Sequence, residues 1–168
     1  VLISGPVSIK AHHPSINVVS VESAQQMHDA ALSAFADSDA AIMCAAVADY
    51  APVVVAEKKI KREKDDIPVI ELKKNPDIAA ALGKIKKPGQ MLVGFALETD
   101  NEMANAQSKL ERKNLDMIVL NSLADKQAGF GVDTNKVTII EKDGTVHSYE
   151  VKPKKEVAAD IVDLITAK

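Results

Sequence analysis

Apolar residues along the chain run together, then fall into helical spacing, then run together again, and each change of period predicts an element. "VLISGP" at the start reads as a buried strand stopped by Gly5 and Pro6. "INVVSV" is a second strand, and from Glu22 to Phe35 one helical face collects Ala24, Met27, Ala31, Ala34 and Phe35. "AAIMCAAVA" then predicts a continuous apolar strand of the kind buried on both sides in a parallel sheet, delivering Asp49 at its end. Residues 53–64 and 68–74 form two extended arms around Asp65-Asp66 and predict a projecting hairpin. "NPDIAAAL" predicts a short helix with Asn75 as its cap, Pro76 in the first turn and Asp77 early in the helix. "MLVGFALE" is a strand, "NEMANAQSKLERKN" a helix and "DMIVLN" a strand. "KVTIIEKDGTVHSYEV" is a hairpin turning at Asp143-Gly144, and an amphipathic helix from Glu156 to Ala167 follows.

Strand–helix–strand alternation predicts an α/β fold with a mostly parallel sheet flanked by helices, a hairpin flap and a C-terminal hairpin. In such sheets ligands gather outside the carboxyl ends of the strands. That is where Asp49, Phe95 and Asn121 fall in the sequence.

Composition narrows the class. A chain of 168 residues, 46% hydrophobic, is long enough for one domain with its own core. No apolar run approaches the ~20 residues of a membrane span, so no membrane partner is expected. The one cysteine, Cys44, lies inside an apolar run and is expected in the core, which points to a reducing, cytoplasmic setting. A net charge of −3 argues against general affinity for nucleic acid. Yet "EKKIKREK" (57–64) carries five positive and two negative residues, a basic island in an acidic chain. It suggests a local polyanionic ligand, but charge alone favours a solvated hairpin, since surface charge runs usually serve solubility.

The candidate residues each have a plain structural reading beside a functional one. Asp49 can open a turn or meet ligand hydroxyls or a metal. Asp77 lies at a helix start, which also suits anions. Phe95, in a chain with five aromatics, fits the core or stacks on a base. Lys109 and Lys113, four apart in the last turn of a helix, complement its dipole or hold two phosphates of one ligand. Lys59 and Lys61 share one side of an extended arm, away from Ile60. Asn121 and the glycine-punctuated "GFGVDTNKV" are consistent with turn chemistry. Neither G-x-G-x-x-G nor G-x-x-x-x-G-K-[ST] is present, nor a Tyr-x-x-x-Lys pair. His12 and His13 have no metal-ligand partners at useful spacing.

Taken in order, "SGPV", "AAVADY", "EKKIK", "KNPDI", "VGFALET", "KLERKN" with "LDMIVLN", and "GFGVDTNKV" closely resemble the phosphopantothenate–cysteine ligase family, also called phosphopantothenoylcysteine synthetases. In bacteria this domain is usually the C-terminal half of a bifunctional protein of coenzyme A biosynthesis. The resemblance implies a Rossmann-like domain, a homodimer through the hairpin flap, and a partner or fused FMN-dependent decarboxylase. No FMN is expected in this portion. It implies CTP, with Mg²⁺, 4′-phosphopantothenate and L-cysteine as ligands, and an acyl-cytidylate intermediate.

Carried over by position, the resemblance makes Ala45 a substrate-binding residue. Ala46, Asp49, Asp77, Phe95, Lys109 and Lys113 become nucleotide-binding, converging on one crevice. Lys59 becomes a catalytic and substrate-binding flap lysine. The resemblance covers nearly all of residues 1–168 as one ligase domain, but the family's N-terminal strand, glycine-rich phosphate loop and following helix have no counterpart. "ADYAP" also stands where many relatives place Arg after Tyr. On that basis the chain alone is expected to show little or no catalysis. An ATP-dependent ligase and a nucleotide-binding module without catalysis stand as the alternatives. An NAD(P)-linked oxidoreductase fits the fold class but lacks its motifs.

Overall fold

The computed structural model describes residues 1–56, 58–60, 69–98, 100–122 and 131–168. They divide into two compact units, Val1–Ala31 with Ala46–Ile78, and Leu32–Ala45 with Ala79–Lys168. Among the described residues no helix is long and apolar enough to cross a membrane.

The first unit holds two small sheets. β1 (Leu2–Ser4) pairs in parallel with β2 (Val18–Ser20). Helix α1 (Ala24–Phe35), whose last four residues belong to the second unit, follows and buries Met27, Ala31 and Phe35, the predicted face at successive i+4 steps. Ser23 and Gln26 cap it: Gln26 N donates to Ser23 Oγ (3.2 Å), and Gln26 Oε1 accepts from Ser23 N (3.1 Å). After β3 (Ala40–Met43), a strand of the second unit, β4 (Tyr50–Pro52) pairs antiparallel with β5 (Leu72–Lys74), giving the base of the predicted hairpin. Val53 N donating to Glu71 O at 2.9 Å carries the pairing one residue further. The Asp65-Asp66 turn and Lys61 lie outside the described residues.

The second unit is built on a five-stranded sheet. α2 spans Ile78–Ile85, with its first residue in the other unit. It is followed by β6 (Met91–Glu98), α3 (Glu102–Arg112) and β7 (Met117–Ser122). β8 (Thr134–Asn135), β9 (Val137–Glu141), β10 (Val146–Ser148), β11 (Lys152–Pro153) and α4 (Lys154–Thr166) complete the chain. With β3 (Ala40–Met43) at one edge the order is β10-β9-β7-β6-β3. β3, β6 and β7 run parallel, and the C-terminal hairpin adds β9 and β10 antiparallel. Gly144, at φ +91°, makes the turn of that hairpin, with Thr145 N on Asp143 Oδ1 at 2.9 Å. This is the α/β fold that the alternation of periods predicts.

The core of this unit follows the side-chain alternation of its strands. Val93, Met117, Val119, Val137 and Ile139 point to one face, where Val157 and Ile161 of α4 cover them. On the other face α3 contributes Ala106 and Leu110. α3 ends in a Schellman-type turn: Asn114 takes φ +52°, and Leu115 N donates to Leu110 O at 2.9 Å. Asn114 Nδ2 then bonds Gly83 O (2.9 Å), which brings α2 against the end of α3. Lys86 Nζ reaches both oxygens of Asp116 at 2.7 Å, and Asp116 Oδ2 accepts from Leu92 N at 2.7 Å, locking the amino ends of β6 and β7 together.

Two sequence expectations need correcting. β3 is neither continuous to Ala48 nor buried on both faces: it stops at Met43, stands at the sheet edge, and leaves Ile42 and Cys44 exposed. Its apolar run signals chain that bonds on one side only, which composition cannot distinguish from a central strand. The helix expected to be capped by Asn75 begins only at Ile78, and the Asn75 amide donates to Ala48 O (2.9 Å).

Candidate functional site

The predicted site residues fall into two sets. Ala46, Asp49, Lys59 and Asp77 belong to the first unit, and Ala45, Phe95, Lys109 and Lys113 to the second.

In the first unit the chain from Ala46 to Asp49 is irregular, and Ala46 and Asp49 are exposed. Asn75 holds this segment at two points: its N–H donates to Asp49 O (2.9 Å) and its Nδ2 to Ala48 O (2.9 Å). The register Tyr50↔Lys74 continues that contact into the base of the hairpin. "AAVADY" and "KNPDI", twenty-odd residues apart in sequence, are thus neighbours through main-chain bonds. Asp77 is exposed and stands immediately before the first helical residue of α2. Lys59 is exposed on the hairpin arm. The same arms display Val54, Val55, Ile60, Val69 and Ile70, each at least 64% exposed. Apolar residues dominate the described part of these arms.

In the second unit Ala45 is exposed just past the end of β3. Phe95 lies near the carboxyl end of β6, opposite Val119, and packs half-buried against the α4-covered core. Its ring therefore has little freedom to turn. Lys109 and Lys113 are both half-buried, Lys109 in the last turn of α3 and Lys113 at its cap.

Lys109 has a partner that the sequence did not flag. Its Nζ lies 2.5 Å from Glu98 Oε1, at the carboxyl end of β6. Asn105 Nδ2, one helical turn before Lys109, donates to Glu98 Oε2 at 3.2 Å. The available signal was spacing: Asn105 and Lys109 stand four apart on the face of α3 that meets β6. Nearby, Asn135 is buried and orients Asn121 by donating from Nδ2 to its Oδ1 at 2.9 Å.

The opposite, amino end of the sheet carries a cavity of about 270 Å³ over Met91 and Met117, rimmed by Asp116, Glu141 and Lys168. None of the predicted site residues lines it. Glu141 is buried there and bonds Lys168 Nζ (2.6 Å) and His147 Nε2 (2.7 Å). The Lys168 ammonium, aided by His147 and opposed by burial, holds the Glu141 carboxyl below its ordinary value near 4.5.

Among the described residues no three His, Cys, Asp or Glu side chains gather as a metal site. A lone exposed carboxylate such as Asp49 still fits Mg²⁺ of the kind that arrives on a nucleotide, which keeps water and phosphate oxygens as its other ligands.

Comparison with known proteins extends over the same residues. The family described as "DNA/pantothenate metabolism flavoprotein C-terminal domain" matches residues 1–168. The chain is 55% identical over 161 residues to a "Cysteine/Cysteine sulfinic acid decarboxylase" of an unknown prokaryotic organism, covering 96% of this chain and 45% of that protein. It is 43% identical over 167 residues to the "Coenzyme A biosynthesis bifunctional protein CoaBC" of Bacillus subtilis (strain 168), covering 99% of this chain and 41% of that protein. A crystal structure of the C-terminal domain of CoaBC superposes with a TM-score of 0.79 at 39% identity, covering 98% of this chain and 71% of that one. The chain thus spans less than half the length of the curated relatives it matches.

Proposed function

The chain belongs to the family of DNA/pantothenate metabolism flavoprotein C-terminal domains, and from that premise we propose that it is the ligase domain that joins 4′-phosphopantothenate to L-cysteine in coenzyme A biosynthesis. The observation that carries this reading is the end-to-end match at 43% identity to a bifunctional coenzyme A biosynthesis protein. The fold agreement with the C-terminal domain of such a protein supports it.

In this reading CTP is the activating nucleotide. A carboxylate does not acylate an amine until one of its oxygens becomes a good leaving group. The pantothenate carboxylate attacks the α-phosphorus, pyrophosphate departs, and the amine of cysteine then displaces CMP to form the amide. Lys109 and Lys113 meet the phosphates as negative charge gathers on the transferring and leaving groups. Phe95, fixed by its core contacts, stacks on the cytosine. Asp49 and Asp77 contact the nucleotide, and the exposed main chain at Ala45 and Ala46 faces substrate and nucleotide. Lys59 on the flap reaches the reacting groups. Mg²⁺ bound with the triphosphate would neutralise phosphate charge, with Asp49 beside either the ribose or the metal. A second copy of the chain packs on the apolar flap arms, giving a homodimer, and an FMN-dependent decarboxylase is the fused or associated partner.

One observation favours a second reading. The relative at 55% identity is named for decarboxylation of cysteine or cysteine sulfinic acid, and a domain in such a protein serves equally as a nucleotide-binding module without ligation. The deciding experiment incubates the longest natural polypeptide carrying this sequence with phosphopantothenate, cysteine, Mg²⁺ and either CTP or ATP. Pyrophosphate release that requires phosphopantothenate and CTP is the expected result. CTP binding without release establishes the module instead, and release with ATP alone overturns the choice of base.

A further inference from the structure

We propose that Glu98 is a positioning residue for Lys109, pinning its ammonium at the carboxyl end of β6 so that its N–H groups face an incoming phosphate. This inference rests on the nucleotide-binding reading of Lys109 and adds to it a residue of "VGFALET" to which the sequence reading gave no role.

The argument starts from burial. The Glu98 side chain is 14% exposed, and its Oε1 is sealed from solvent. A carboxylate so placed needs a cation and hydrogen bonds to hold its charge. Lys109 supplies the cation, 2.5 Å from Oε1, and Asn105 the hydrogen bond, to Oε2 at 3.2 Å. Asn105 Nδ2 also donates to Asp100 O at 2.9 Å, which fixes the end of the amide presented to Glu98. Both partners come from one face of α3, so Glu98 ties the helix to the strand that carries Phe95.

The contact with Glu98 is an ion pair in which Oε1 accepts no aligned hydrogen bond, so the donors of the ammonium remain for a phosphate. A free lysine loses much rotamer entropy when a ligand immobilises it. Held by Glu98, Lys109 incurs most of that cost on folding and little of it on binding, which is the gain from preorganisation.

The same carboxylate also repels a polyanion, so removing it has two opposed effects. Loss of the pin weakens binding, and loss of the repulsion strengthens it. Salt separates them: near 0.5 M the screening length falls to about 4 Å, suppressing the longer-range repulsion but not the direct contact.

The test measures CTP affinity calorimetrically with Mg²⁺ at such salt, in the full polypeptide carrying this domain, for Glu98→Gln, Glu98→Asp, Lys109→Met and the double variants. Glu98→Gln is expected to bind roughly tenfold more weakly. Glu98→Asp keeps the charge but withdraws it by one methylene, so it should bind more weakly at low and high salt alike. It also carries the test if the glutamine variant does not fold. At high salt, where the direct repulsion is screened, neither change should add to the loss caused by Lys109→Met, since the remaining effect of Glu98 passes through that lysine. Affinity that is unchanged or tighter at high salt, or losses that add in the double variants, overturns the proposal while leaving the nucleotide reading intact. Absence of CTP binding by the unaltered protein overturns both.

Discussion

At the scale of the residue, charge in this protein is placed where it is paired. Glu98, Asp116 and Glu141 are carboxylates with restricted access to water, and each is held by a lysine. The pairing at Glu141 has a consequence for pH. Its carboxyl is held below the ordinary value near 4.5 in the folded state, so it binds fewer protons there than in the unfolded chain. Its contribution to stability is therefore complete above the ordinary carboxylate range and is lost as pH falls through the lowered value. Glu141→Gln should be less stable than the unaltered protein by about 1 kcal/mol near neutrality. Urea midpoints of the two should converge in acid, and a gap that persists unchanged at the lowest pH would sink the assignment. Cys44 shows the limits of reading single residues. Its apolar neighbours imply burial, yet it is exposed because β3 ends one residue earlier.

At the scale of the element, α2 and α3 are set by one close approach. A Cβ on Gly83 would lie 1.9 Å from the Lys113 carbonyl oxygen. That neighbour is backbone, so no rotamer change relieves the clash. In an exposed helix, Gly→Ala adds roughly 0.5–1 kcal/mol of stability. Here overpacking of about 1–3 kcal/mol opposes it, and the close contact puts the cost at the upper end. Gly83→Ala should lower stability by about 2 kcal/mol, read as a drop in the urea midpoint without a change in slope. It should also weaken nucleotide binding, since Lys113 is the residue displaced. A stabilised variant would show that the two helices separate readily. Gly94 meets a like constraint from a side chain, its added Cβ falling 2.7 Å from Cδ1 of the buried Leu115.

At the scale of the whole molecule, the strongest demand for a partner comes from the flap. Val54, Val55 and Val69 are 79%, 80% and 90% exposed, more apolar display than a solvated hairpin needs. Val69→Asp is expected to shift the protein from dimer to monomer in sedimentation equilibrium, and an unaltered dimer would place the interface elsewhere. Local pattern by itself determined β6, α3, β7, the hairpin turning at Asp143-Gly144 and the closing helix α4. Each of these depends on periodicity and turn chemistry within a few residues. It also determined the family, because seven short segments in fixed order carry more information than any one of them. Only the tertiary structure decided that β3 lies at an edge, that Asn75 clasps Asp49 rather than capping α2, and that Glu98 holds Lys109. Those outcomes turn on which main-chain and side-chain groups meet across long stretches of chain, and a donor or a carboxylate carries no mark in the sequence of the partner it will find.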